Sequence, residues 1–178
     1  MSSFRLMLAT FGCMVSVLTS GCRTTTMAPL GQAAPDQVSP SAKFLVAATA
    51  DGVYGSQTYP GSGMAVARTF EKALLRHARS VTVLPVQGDV DAAILQASEL
   101  GCAVLVFPRI VHWEDRATEW SGRRDKLSLI VRVMDVGSGR CLRDAEISGK
   151  SSWFTFGGDH PQDLLSEPIQ EFVATLFR

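Results

Sequence analysis

The chain has 178 residues, 17 basic and 17 acidic side chains, a formal charge of zero and 46 % hydrophobic residues. That length suits one domain with a single core, and the hydrophobic content excludes an intrinsically disordered chain. The charge balance leaves no basic excess with which to hold nucleic acid or anionic lipid.

Arg5 precedes an apolar run from Leu6 to Leu18, followed by Leu18-Thr19-Ser20-Gly21-Cys22. The run is about 13 residues, short of the ~20 that cross a bilayer, and Thr10, Gly12 and Ser16 interrupt it. Residues 1–21 therefore read as a cleaved secretory signal peptide rather than a membrane span. The residues ahead of Cys22 resemble the lipobox of bacterial lipoproteins. That resemblance implies a diacylglycerol on the Cys22 sulfur and an acyl chain on its freed amino group, more than the ~two lipid signals that stable anchoring needs. By the same resemblance, Arg23 stands where an aspartate would retain the protein in the inner membrane, so the expected location is the outer membrane. No other cofactor is expected.

Residues 22–42 (CRTTTMAPLGQAAPDQVSPSA) show no apolar periodicity and read as a lipidated, disordered tether that lets the domain stand away from the membrane. The remainder, 43–178, reads as one globular domain. Lys43–Ala50 is a short apolar run, hence a buried strand. Asp51–Gly63 is rich in turn residues. From Met64 to Ala78, Val66, Phe70, Ala73, Leu74 and Ala78 share a helical face, with Ser62 as a candidate cap. Val81–Val86 reads as a second strand ending at Pro85. Asp89 starts a helix that Gly101 closes, and Cys102–Ile110 is a third strand. Lys126–Val136 alternates as a half-buried strand, Gly137-Ser138-Gly139 turns, and Cys141–Lys150 returns antiparallel with Cys141, Ala145 and Ile147 inward. Asp159 and Gln162 resemble a capping box. Beyond Pro168, the residues Ile169, Phe172, Val173, Leu176 and Phe177 form a last amphipathic helix.

The order β-α-β-α-β-β-β-α predicts an α/β (α+β) domain with a mixed five-stranded sheet, since two βαβ units impose parallel strands and the hairpins add antiparallel ones. Four cysteines reduce to two, because Cys13 leaves with the leader and Cys22 is the lipid site. Cys102 and Cys141 begin strands separated by a third. Two strand spacings are ~9.5 Å, beyond the ~7 Å limit for a disulfide. They are expected as two free, largely buried thiols, with a Cys102–Cys141 disulfide as the alternative under a different strand order.

Candidate sites are few. The turn Gly61-Ser62-Gly63 opens a helix, where backbone N–H groups can bind an anion; it matches no nucleotide-binding motif, and a tight turn explains it as well. His112-Trp113-Glu114-Asp115 is not H-E-x-x-H, and His77, His112 and His160 show no ligand spacing, so no metal is expected. No G-x-S-x-G or Cys–His neighbourhood supports covalent catalysis. A hydrolase with a dispersed site is the remaining enzymatic reading. The segment 112–125 (HWEDRATEWSGRRD) carries Trp113, Trp120, Arg116, Arg123 and Arg124, residue types that interfaces favour. Its indoles either contact a partner or fold back into the core.

Tyr59-Pro60-Gly61-Ser62-Gly63, Asp135-Val136-Gly137-Ser138-Gly139 and Gly157-Gly158-Asp159-His160-Pro161 with Leu164-Leu165 resemble a domain-of-unknown-function family of proteobacterial lipoproteins, over roughly residues 43–178. The Asp135…Gly139 turn between strands is also similar to that of the periplasmic α/β domains of the curli-secretion lipoprotein and the N-terminal domain of the Tol translocation protein. The resemblance supplies no catalytic residues and implies an assembly or adaptor role. The reading is thus a non-enzymatic, lipid-anchored outer-membrane lipoprotein facing the periplasm, an adaptor or accessory subunit with an envelope protein as partner. A small-ligand or anion-binding domain is the alternative.

Overall fold

The computed structural model describes residues 24–31, 37–114, 126–150 and 164–178. The strands, in chain order, are β1 (Thr24–Pro29), β2 (Lys43–Ala48), β3 (Gly52–Tyr54), β4 (Gln57–Tyr59), β5 (Ser80–Pro85), β6 (Val104–Glu114), β7 (Lys126–Asp135) and β8 (Cys141–Lys150). The helices are α1 (Ser62–Leu74), α2 (Val90–Glu99) and α3 (Ser166–Ala174), the last continued by a 3-10 turn at Thr175–Phe177.

The sheet is mixed, but it is not the five-stranded sheet expected from the sequence. Among the described residues there are eight strands in two sheets. The larger has six, in the order β1-β8-β7-β6-β2-β5, and the smaller is the hairpin β3-β4. The sixth strand comes from the segment expected to be a disordered tether. Thr24 to Pro29 pairs antiparallel with Lys150 to Ala145, and Leu30 N–H continues the ladder to the Asp144 carbonyl at 3.3 Å. Three consecutive threonines favour extended backbone, and β8 offers an edge whose N–H and C=O groups need partners. Backbone pairing asks for no apolar alternation, which is why the pattern missed it. Further along the same segment, Val38 is buried and its N–H meets the Leu176 carbonyl at 2.8 Å.

β2 runs parallel to both β5 and β6, while β6, β7 and β8 form antiparallel hairpins. β2 meets β6 only from Val104 to Val106, so β6, β7, β8 and β1 project beyond it as a four-stranded wing. Helices α1 and α3 cover one face. There Phe44, Val46, Phe70, Leu129, Ile147 and Phe172 form the main core, with the Phe70 and Phe172 rings edge-on at 6.3 Å. α2 covers only part of the other face, packing Ala93 and Ala97 on Leu45, Ala47, Leu105 and Cys102.

Two bulges reset which residues face the core. In β6, Ile110 opposes Leu129 but Trp113 opposes Leu127, so Val111 is extra. One extra residue inverts the alternation beyond it and turns Trp113 inward, to 3 % exposure. In β8, Arg143 opposes Val133 and Cys141 opposes Met134, leaving Leu142 extra. Leu142 therefore points into the core and Cys141 outward, the reverse of the expected arrangement.

Candidate functional site

The glycine turn before α1 holds an anion of its own chain. Gly61, at φ 85°, is the residue ahead of the helix, a left-handed conformation that glycine adopts freely. The Asp51 carboxylate accepts from Gly61 N–H at 3.0 Å and from Gly63 N–H at 2.8 Å. Ser62 is buried, and its hydroxyl oxygen accepts from Gly52 N–H at 2.7 Å instead of capping the helix. A Cβ at Gly63 would collide with the Thr49 carbonyl oxygen. Gly61, Ser62 and Gly63 open α1, and the Gly61 and Gly63 N–H groups that an external anion would need are taken by Asp51. A carboxylate ten residues upstream left no local motif to read.

Of the proposed contact residues, Trp113 lies in the core. β3 crosses it so closely that a Cβ on Gly52 would lie 2.5 Å from the Trp113 Cβ. The indole is buried in the main core together with Leu127, as its packing reading expects. Trp120, Arg116 and Arg123 lie outside the described residues, as does Cys22. Beside Trp113, Glu114 is 2 % exposed and its Oε2 is 3.2 Å from His112 Nε2. The His112 ring meets the Tyr54 ring edge-on at 5.5 Å.

Cys102 and Cys141 are free thiols, with β7 between their strands. Cys102 is buried, whereas Cys141 is exposed, contrary to the expectation of two buried thiols. Desolvation pushes both thiols above their ordinary range; Asp144 raises Cys141 further, and Lys43 partly offsets the rise at Cys102. Among the described residues no three His, Cys, Asp or Glu side chains are grouped to hold a metal ion. Among the same residues no helix is long and apolar enough to cross a membrane.

A recess that the sequence reading did not single out lies where α2 stops covering the sheet. It has a volume of about 260 Å³ and is lined by Gly88, Asp89, Val90, Phe107, Arg109, Ile130 and Arg132. Arg109 opposes Ile130, and Phe107 opposes Arg132, so the two guanidinium groups are diagonal neighbours, ~7–8 Å apart at the backbone. Among the described residues neither arginine is ion-paired. The Asp89 carboxylate is already engaged, accepting from Ala92 N–H at 3.1 Å as the cap of α2. The alternation of Lys126–Val136 placed Arg132 on the wetter face, but only the β6–β7 register puts Arg109 beside it.

The chain belongs to the family described as Domain of unknown function (DUF4823), whose model matches residues 37–176. No curated protein matches it in sequence. Among solved structures it is similar to the PelC dodecamer from Paraburkholderia phytofirmans, at 13 % identity and a TM-score of 0.59 over 87 % of this chain and 94 % of that one. A variant of that dodecamer aligns at 11 % identity and a TM-score of 0.63, covering 88 % and 98 %. The lipoprotein GNA1162 from Neisseria meningitidis aligns at 12 % identity and a TM-score of 0.49, covering 76 % and 97 %. The likeness to PelC is one of fold.

Proposed function

We propose that this protein is a lipid-anchored outer-membrane lipoprotein that acts without catalysis, as an adaptor or accessory subunit of an envelope assembly. The observation that carries the reading is the leader, with its apolar run and lipobox-like residues ending at Cys22. Cys22 takes the diacylglycerol and the N-acyl chain, and the domain faces the periplasm. Sharing a fold with the subunit of a dodecameric assembly supports a role in association. The contact surface includes Trp120, Arg116 and Arg123. In-cell crosslinking of the acylated protein, beside a Trp120→Ala/Arg123→Ala variant, tests this. A specific envelope partner captured by the parent and lost in the folded variant is the expected result. Equal capture by both removes those residues from the contact.

One observation favours the second reading, a domain binding a small anionic ligand. The recess with Arg109 and Arg132 offers two guanidinium groups without an ion pair among the described residues, above Phe107 and Ile130, a floor suited to a carboxylate or phosphate with an apolar body. Here the anion site moves from Gly61-Ser62-Gly63 to the recess. A ligand at about 100 times its Kd stabilises the fold by ~2.7 kcal/mol. A thermal-shift screen of aryl and alkyl carboxylates and phosphates, with Arg109→Ala/Arg132→Ala as control, reads it directly. A shift present in the parent and absent from the variant supports the reading; no shift removes it.

A further inference from the structure

β1 changes what the lipid anchor does. Thr24 is paired with Lys150, which is paired in turn with Lys126, so these three residues form one row at the end of the described part of the wing, hereafter its tip. Only Arg23 separates Thr24 from Cys22. Two residues of chain span at most ~7 Å, so covalent geometry keeps a lipid on Cys22 within about that distance of the row. Lys126 and Lys150 are both exposed, ~5 Å apart in the ladder direction. The acidic residue in the same row, Glu114, is buried and engaged with His112. The chain as a whole is neutral, but at this tip the exposed described charges are cationic.

We infer that the wing tip, formed by Thr24, Lys126 and Lys150, rests on the phospholipid headgroup surface and holds the domain upright on the membrane. This rests on acylation of Cys22. The occupant is the lipid surface because the chain leading into β1 ends there in the lipid site, and because lysine ammonium groups complement headgroup phosphates. β8 is 10 residues long, ~34 Å at strand rise. The turn at Ser138 therefore points into the periplasm, several screening lengths away (~8 Å each at physiological salt). β1 is also an edge strand, and strand addition by a second copy is the competing occupant.

The test uses the full acylated chain in phosphatidylethanolamine/phosphatidylglycerol vesicles, in a Cys141→Ser background. Fluorophores are placed at Ser148→Cys or Ser138→Cys, which leaves Lys126 and Lys150 in place, with a quencher on the lipid headgroups. Cys102 is buried and the Cys22 sulfur is acylated. Strong quenching at 148 and none at 138 is the expected result. Thr26→Pro/Ala28→Pro then removes two ladder donors, since the Leu30–Asp144 bond places Thr26 and Ala28 in the hydrogen-bonded positions of β1. This variant keeps its acylation and vesicle binding but loses the quenching at 148. The mass of the N-terminal peptide reads the anchor independently. A Cys22 without lipid overturns the anchor reading and the docking with it. An acylated Cys22 with both labels quenched alike, or with neither quenched, overturns the docking alone.

Discussion

Asp51 serves as the built-in anion of the α1 N-terminus, and replacing it tests both the fold and the anion-binding reading. In Asp51→Ala, the N–H groups of Gly61 and Gly63 lose their 3.0 and 2.8 Å acceptor. Loss of a helix-capping side chain costs ~0.5–2 kcal/mol, and loss of a carboxylate at the positive end of the helix dipole ~0.3–1 kcal/mol. Together these give about 2 kcal/mol. For a domain of this size that lowers Tm by ~4–8 °C, since each kcal/mol is worth ~2–4 °C. Asp51→Asn keeps one acceptor and loses the charge, so its deficit is about half as large. The vacated turn then becomes an anion site. Phosphate at ten times its Kd would return ~1.4 kcal/mol to Asp51→Ala and nothing through this turn to the parent. Thermal and urea denaturation, with and without phosphate, read all three quantities. An Asp51→Ala Tm within a degree of the parent would refute the reasoning. So would equal stabilisation of parent and variant by phosphate in an Arg109→Ala/Arg132→Ala background, where the recess is disabled.

Trp113→Ala removes a core indole that β3 packs against, and a cost of ~3–5 kcal/mol is expected. That is a large share of an ordinary domain's ~5–15 kcal/mol, so the urea midpoint falls steeply and expression suffers; a variant of unchanged midpoint would place the indole on the surface. A water-soluble thiol reagent should modify Cys141 in the native state and spare Cys102 until the domain unfolds. Because burial and Asp144 hold the Cys141 thiol above its ordinary 9.0, its rate should still be climbing above that pH. The Ser138 hydroxyl at 2.6 Å and N–H at 2.8 Å hold the Asp135 carboxyl below its ordinary 3.8. A depressed folded-state value contributes stability that is complete above the unfolded pKa and is lost as pH falls through the folded one. The Tm deficit of Ser138→Ala should therefore be full at neutral pH and shrink below about pH 3.8; a deficit constant across that range would exclude the linkage.

Local pattern by itself determined the succession of β2, α1, β5 and α2, the Asp89 cap and the Gly137-Ser138-Gly139 turn. Each depends on residues a few positions apart, so periodicity and cap chemistry reveal them. Tertiary structure decided what depends on a distant partner. β1 is a strand because β8 has an edge to fill, and a backbone ladder reads almost any sequence. Trp113 faces inward because one extra residue at Val111 inverts the pleat, and Leu142 displaces Cys141 in the same way. Neither bulge carries a glycine or proline to announce it. The Gly61 and Gly63 N–H groups at the start of α1 are satisfied by Asp51 through the return of the chain over β3 and β4. Arg109 and Arg132 share a recess only through the β6–β7 register. A pattern of period 2 or 3.6 shows which face a residue takes within an unbroken element; the pairing of elements, and the single-residue slips within them, are set by contacts between segments far apart in the chain.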